Sequence, residues 1–243
     1  MSRLTLVGIA TVSLLSLLPQ AAIAQLNFVA PELPGTAVRQ ASPGRCALSS
    51  GSPLTALLPQ TNAGITLKSQ PDLFVYVPRN NAQYGEIQVS EAASGAVILT
   101  AGLDLPPSVA PGDFQYGPAL ARVTLTGATL APDTVYRWQI TLVCDSGDRT
   151  QDVAVSGLLL RAGEAYLSGL DADVPSALAT EPPADALSRY AAAGLWHDLL
   201  GQLFDLAAQD PSYSATLSAL LSAQGLGAIP PAARVPMPLN APR

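Results

Sequence analysis

The chain has 243 residues, with 12 basic against 18 acidic side chains and a net charge of −6. This acidic balance disfavours nucleic acid and anionic membrane surfaces as partners, because both are bound through basic patches. The length is sufficient for one domain with a substantial core, or for one domain with an appendage.

Residues 1–24 have the features of a secretory signal peptide. Arg3 supplies a positive charge, Leu4 to Leu18 form an apolar run, and Ala22-Ile23-Ala24 offers the small residues that a signal peptidase needs. An uncleaved membrane anchor is the alternative, but it requires a longer apolar run than one ended by Pro19. The sequence therefore predicts an exported protein, periplasmic or extracellular, with no integral membrane segment after cleavage.

Two Pro-rich segments flank the rest of the chain. The N-terminal arm, 25–63, is predicted to be poorly structured, and the tail, 229–243, is predicted to be flexible. Cys46 lies in the arm, and the other cysteine of the chain is Cys144. An even cysteine count in an exported protein is typical of a disulfide, which would pin the arm and contribute about 4–5 kcal/mol. Two separate buried thiols are the alternative.

Seven short runs with β-strand patterns, separated by turn residues, occupy 64–162. They are Ile65–Lys68, Leu73–Val77, Tyr84–Glu91, Ala96–Thr100, Ala121–Thr126, Val135–Cys144 and Val153–Leu160. Seven strands of this length are typical of an antiparallel β-sandwich of the immunoglobulin or fibronectin type. That is the fold class predicted for this part of the chain.

The sixth run follows a turn that suits a tyrosine corner. Tyr136 stands at the start of a late strand, just after Pro132. Its ring is expected in the core, with its hydroxyl bonded to backbone a few residues upstream. A period of two places Trp138 on the same face as Tyr136. We interpret this stretch as scaffold and do not expect a functional site in it.

A long connection, Leu103–Pro118, is rich in Pro and Gly and carries Phe114 and Tyr116. Long loops between strands are frequent places of function, so these aromatic rings are candidates for contact with carbohydrate or peptide. Packing of both rings over one end of the sandwich is the favoured alternative, because aromatic side chains seek burial.

Helical periodicity replaces strand periodicity in 163–228. Pro182-Pro183 predicts the start of a helix, and Asp210-Pro211 predicts the start of a second one, Ser212–Gln224. The two helices are expected to form a hairpin that buries its apolar face against the sandwich.

Catalytic motifs are missing from the sequence. His197 is the single histidine, which removes most metal sites and favours a boundary residue on an amphipathic helix. The chain lacks Gly-x-Ser-x-Gly, a Gly-rich phosphate loop, CxxC and HExxH. We therefore predict no catalytic residue, no metal and no cofactor.

Several short motifs, each weak alone, together resemble a known family. They are Pro43-Gly44-Arg45-Cys46, Leu54–Pro59, Pro71–Pro78, Tyr136-Arg137-Trp138, Cys144, Ser156-Gly157 before Arg161, Tyr190–Asp198 and Leu220-Leu221 before Gly225-Leu226. They resemble the cyanobacterial exported family that carries the domain of unknown function numbered 928. The match of both cysteines supports the disulfide. Members often have Tyr at the position of His197, which implies that this residue is not catalytic.

The predicted function is a non-catalytic, exported protein-interaction module whose partner is another exported or envelope protein. Its candidate interaction surface consists of Phe114, Tyr116, Trp196 and His197. Trp196 and Phe204 would mark a partner site if they were more exposed than core residues. A carbohydrate-binding module that uses the loop aromatics is the first alternative. A hydrolase with two carboxylates facing each other in a cleft is the less favoured one.

Overall fold

The computed structural model describes residues 26–41, 51–108, 112, 114–170 and 183–242. The strands in these ranges are β1 (Thr55–Ala56), β2 (Ala63–Thr66), β3 (Asp72–Val77), β4 (Tyr84–Glu91), β5 (Val97–Leu103), β6 (Ala119–Thr124), β7 (Val135–Val143), β8 (Val153–Arg161), β9 (Ala233–Pro236) and β10 (Leu239–Asn240). The helices are α1 (Glu164–Leu167), α2 (Pro183–Ala192), α3 (Trp196–Gln209) and α4 (Ser212–Ala223). The predicted signal peptide 1–24 and Cys46 lie outside the described residues, so the leader and the disulfide stay predictions.

The strands form two sheets, and each of the seven predicted runs overlaps one of the strands β2 to β8. One sheet has the order β1-β3-β6-β9, and the other has the order β10-β5-β4-β7-β8-β2. Most neighbours are antiparallel, but β2 pairs with β8 and β9 pairs with β6 in parallel. The mostly β fold with C-terminal helices is confirmed, whereas the immunoglobulin-like topology stays a prediction.

Side-chain alternation builds one core from both sheets. Trp138 and Ile140 of β7 are buried, while Gln139 between them is exposed. Strand β3 is buried at every position, because α3 covers the face that does not meet the other sheet. The Phe74 ring of β3 lies 4.7 Å from the Phe204 ring of α3. This contact packs α3 against the sheet that also takes part in the polar junction described below.

The turn before β7 has the predicted tyrosine-corner contact. The Ala131 N–H donates to the Tyr136 hydroxyl at 2.9 Å. Asp133 in the same turn has a φ of 52°. Its carboxylate accepts hydrogen bonds from the N–H groups of Gly163 and Ala165, at 3.0 and 3.3 Å. The turn thus fixes both the start of β7 and the start of α1.

The helical region differs from the predicted hairpin because the first helix is broken in two. Helix α2 ends at Ala192 and α3 begins at Trp196. Gly194 between them has a φ of 66°, and a Cβ there would lie 3.0 Å from the Val29 carbonyl oxygen. Only glycine meets both demands at low cost. The apolar periodicity continues across this break, which is why the pattern alone predicts one helix.

The N-terminal arm is held in place in its described parts, contrary to the expectation of poor structure for 25–63. The Val29 N–H donates to the Ala191 carbonyl oxygen at 3.1 Å. The segment Leu54–Pro59 contains β1, which pairs with β3. Leu57 and its neighbours are buried, so a few apolar anchors offset the entropy of ordering the arm.

The tail 229–243, expected to be flexible, contains two strands. Strand β9 pairs with β6 in one sheet, and β10 pairs with β5 in the other. Met237 lies between them with no exposed surface, and its N–H donates to the Arg122 carbonyl oxygen at 2.8 Å. The tail therefore pairs with one strand of each sheet and adds a buried side chain to the core. Its Pro-rich composition predicts neither feature.

Candidate functional site

Two members of the predicted interaction surface belong to the core. Trp196 is 0% exposed and His197 is 2% exposed. The Trp196 indole N–H donates to the Leu57 carbonyl oxygen at 2.7 Å, and the ring packs edge-on against Phe28. Phe204 is buried as well. The expected contact surface on this helix is therefore corrected, because periodicity identifies an apolar face without showing that the sheets cover it.

The other two members lie in the long loop and are half-buried. Tyr116 exchanges two backbone hydrogen bonds with Asn80, both 3.1 Å long, and its ring packs against the core. Phe114 is also only partly exposed. These two rings are thus partly exposed, whereas Trp196 and His197 are buried, and Tyr116 follows the packing alternative of the sequence analysis.

A buried polar junction joins the first turn of α3 to strands β2 and β3. Asp198 is 5% exposed, and its Oδ2 accepts the Leu67 N–H at 2.9 Å. The Thr66 hydroxyl is a further partner of this carboxylate. Burial raises the pKa of Asp198 to about 6, although these hydrogen bonds act in the opposite direction. Its place in the first turn of α3 also suits the helix dipole.

His197 forms the second part of the junction. Its Nδ1 lies 2.9 Å from the Asp72 carbonyl oxygen, which requires Nδ1 to carry the proton and donate. Nε2 has no hydrogen-bond partner and faces Gly64, where a Cβ would lie 2.4 Å from it. Burial lowers the pKa of His197 to about 4, so the imidazole is neutral at pH 7.

Asp72 and Lys68 complete the junction. The Asp72 carboxylate accepts the Thr124 hydroxyl at 2.6 Å and lies 3.1 Å from Lys68 Nζ. Lys68 is half-exposed and links this buried group to solvent. His197 and Asp198 thus fasten α3 to the strands, whereas the Asp72 carboxylate ties β3 to Thr124 of β6 and to Lys68. Among the described residues, no group of three or more His, Cys, Asp or Glu could hold a metal ion.

A groove of about 310 Å³ lies between α4 and the chain that follows it. One wall is a stripe of α4 residues spaced three or four apart: Ser214, Leu217, Ser218, Leu221 and Ser222. The other wall is the segment from Leu226 to Ala232 with Arg234, and Leu120 of β6 also contributes. The volume is at the lower end of the range for ligand sites. This combination of apolar walls and a few polar groups makes the groove the candidate functional site.

Arg234 is the charged residue of this groove. Its two terminal nitrogens donate to Ser214 Oγ at 3.3 Å and to the Ala207 carbonyl oxygen at 2.8 Å. Strand β9 carries it, so the tail fixes its backbone against β6. The guanidinium is therefore oriented by neutral oxygen atoms on two helices.

Arg234 also borders a second depression, of about 190 Å³, which Phe204, Val235 and Pro236 line as well. Arg122 lines this depression, bonded to Asp205 at 2.8 Å and placed over the rings of Phe74 and Phe204. The second depression thus contains a neutralised cation, unlike the groove.

Sequence patterns do not predict the groove, for a physical reason. Its walls come from a helix and from a tail that the composition predicts to be flexible. A usable signal exists, since Pro211–Ala233 contains no charged residue and Arg234 follows directly. This run leaves the exposed face of α4 without charge.

A family model described as Domain of Unknown Function (DUF928) matches residues 34–233. The chain belongs to this family. No curated protein and no solved structure matches the chain. The match includes β1 to β8, all described helices and the groove walls up to the first residue of β9. In the part of the chain that the structure describes, no helix is long and apolar enough to span a bilayer.

Proposed function

We propose that this protein is an exported, non-catalytic interaction module of the cyanobacterial cell envelope that receives a segment of another envelope protein in the α4 groove. The observation that carries the proposal is the groove itself, a depression whose apolar walls also carry three serines and one oriented guanidinium. The buried junction at α3 supports a non-catalytic role, because His197 and Asp198 are used to fasten the helix and Asp72 is bonded to Thr124 of the neighbouring strand. The immunoglobulin-like sandwich is the proposed scaffold.

The two alternatives have less support. A carbohydrate platform needs exposed flat rings, whereas Phe114 and Tyr116 are half-buried. A hydrolase needs two carboxylates facing a cleft. Asp72 and Asp198 are buried and bonded to Lys68, Thr124 and backbone.

A matched pair of substitutions on α4 tests the proposal. Ser218 lines the groove, and its neighbour Ala219 is exposed but does not line it. Affinity-tagged wild-type protein, Ser218→Tyr and Ala219→Tyr are expressed with their own leader and recovered with bound proteins from the envelope fraction. We expect the same partner with the wild type and Ala219→Tyr, and its loss with Ser218→Tyr. A partner retained by Ser218→Tyr would show that the groove is not the binding site.

Export is tested on the same material. We expect the recovered protein to begin at Gln25, as read by N-terminal sequencing, and to fractionate with the periplasm or medium. Recovery of the whole chain from the cytoplasm would contradict an exported module.

A further inference from the structure

The charges around the groove define what it can bind. Arg234 is the only charged residue among those that line it. The salt bridges found among the described residues engage Lys68, Arg122 and Arg149, and none of them engages Arg234. The groove therefore presents a positive charge that neutral oxygens orient but do not neutralise.

The guanidinium has donors left for a ligand. It carries five N–H groups, and its described hydrogen bonds use one on each terminal nitrogen. A planar carboxylate is the natural match, because two parallel N–H···O bonds can form. The Ser218 hydroxyl next to it donates to the Ser214 carbonyl oxygen, so its oxygen can still accept an N–H.

We propose that the groove binds the C-terminal end of an apolar peptide, with the terminal carboxylate on Arg234. This inference rests on the proposed function and names the partner's chemistry. The apolar walls take the side chains, and the volume of about 310 Å³ suits only a short segment. Beyond Arg234, the second depression contains the Arg122–Asp205 ion pair, so its lining offers an anionic segment no second unpaired cation.

The test uses three N-acetylated peptides and isotope-labelled protein. The first is Ala-Leu-Ala-Leu with a free carboxylate, the second is its C-terminal amide, and the third is the amide of Ala-Glu-Ala-Leu. Binding is followed by the chemical shifts of backbone amides, which also report where each peptide sits. We expect the first peptide to shift the amides of α4 and β9 and to bind about tenfold more tightly than either amide.

Arg234→Gln should remove this preference. It is expected to weaken binding of the free carboxylate about tenfold and to leave the affinity of the amide unchanged, as in a double-mutant cycle. Arg234→Lys keeps the charge and should restore part of the preference. Arg137→Gln, on β7 of the other sheet, is the control and should bind all three peptides like the wild type. Thermal unfolding of each variant confirms that it is folded.

Three results would overturn the inference. The first is equal binding of the free carboxylate and its amide, and the second is equal binding of the free carboxylate and the internal glutamate peptide. The third is the absence of any chemical-shift change with any peptide at about 1 mM, a concentration at which only a Kd weaker than millimolar escapes detection. None of these results removes the proposed function, which depends on the contrast between Ser218→Tyr and Ala219→Tyr. Loss of that contrast would overturn both.

Discussion

Helices α3 and α4 differ in the type and burial of their polar side chains. The first turn of α3 buries His197 and Asp198 and gives most of their polar atoms a partner from β2 or β3. Helix α4 contains no charged residue, and it exposes serine and alanine beside a groove. The difference teaches that, in this chain, buried polar side chains attach one element to another, whereas the uncharged surface of α4 borders the groove that we propose as a binding site.

The largest effect should come from removing the central ring of the α3 attachment. Trp196→Ala is expected to lower the free energy of unfolding by about 3–5 kcal/mol, because it leaves a cavity and an unpaired Leu57 carbonyl oxygen. Denaturant titration measures this loss. Trp196→Phe keeps most of the packing and should cost about 1–3 kcal/mol for the unpaired oxygen alone. Similar losses for the two variants would show that packing is not the main contribution.

The next largest effect is expected in the pH dependence of stability, through the titration of His197 and Asp198 in the α3 junction. Because burial lowers the pKa of His197 to about 4, the unfolded chain binds more protons between pH 4 and 6.5, and stability falls on acidification. Because burial raises the pKa of Asp198 to about 6, the folded chain binds more protons between pH 4 and 6, and stability falls as the pH rises. The two slopes, each about 1.4 kcal/mol per pH unit, oppose each other in this window.

Single substitutions should reveal each slope. In Asp198→Asn the histidine contribution remains, so the free energy of unfolding should rise by about 1.4 kcal/mol per unit from pH 4 to 6. In His197→Asn the aspartate contribution remains, so it should fall by a similar amount. Denaturant titrations at pH 4, 5 and 6 measure both, each relative to the double variant, which lacks both groups. Slopes of the same sign would contradict opposed titration of the pair.

The smallest effect is expected at the groove. Ser218→Tyr and Ala219→Tyr should each change the free energy of unfolding by no more than about 0.5 kcal/mol, because both side chains point to solvent or into the groove. Thermal unfolding provides the comparison. A loss above about 2 kcal/mol for Ser218→Tyr alone would mean that the groove is part of the packed core and not a binding surface.

Much of the fold could be predicted from local patterns. Alternation predicts the strands around Trp138, and Pro132 with Tyr136 predicts the corner contact. What packs against the apolar face of α3 could not be predicted. The periodicity that identifies this face is the same whether a sheet of this chain or a partner protein covers it. The groove could not be predicted without the path of the tail. This path depends on strand pairing with β6 and β5, which are distant in the sequence.

The tail extends the folded part of the chain beyond the last residue that the family model matches. The match ends at Ala233, the first residue of β9, so a chain shortened to it would lose Arg234, Met237 and both final strands. The outer sides of β6 and β5 would then be open to strands of other molecules, with an apolar gap between them. Strands β9 and β10 thus cover β6 and β5 within the same chain, and a recombinant version of this protein should extend to Asn240 or beyond.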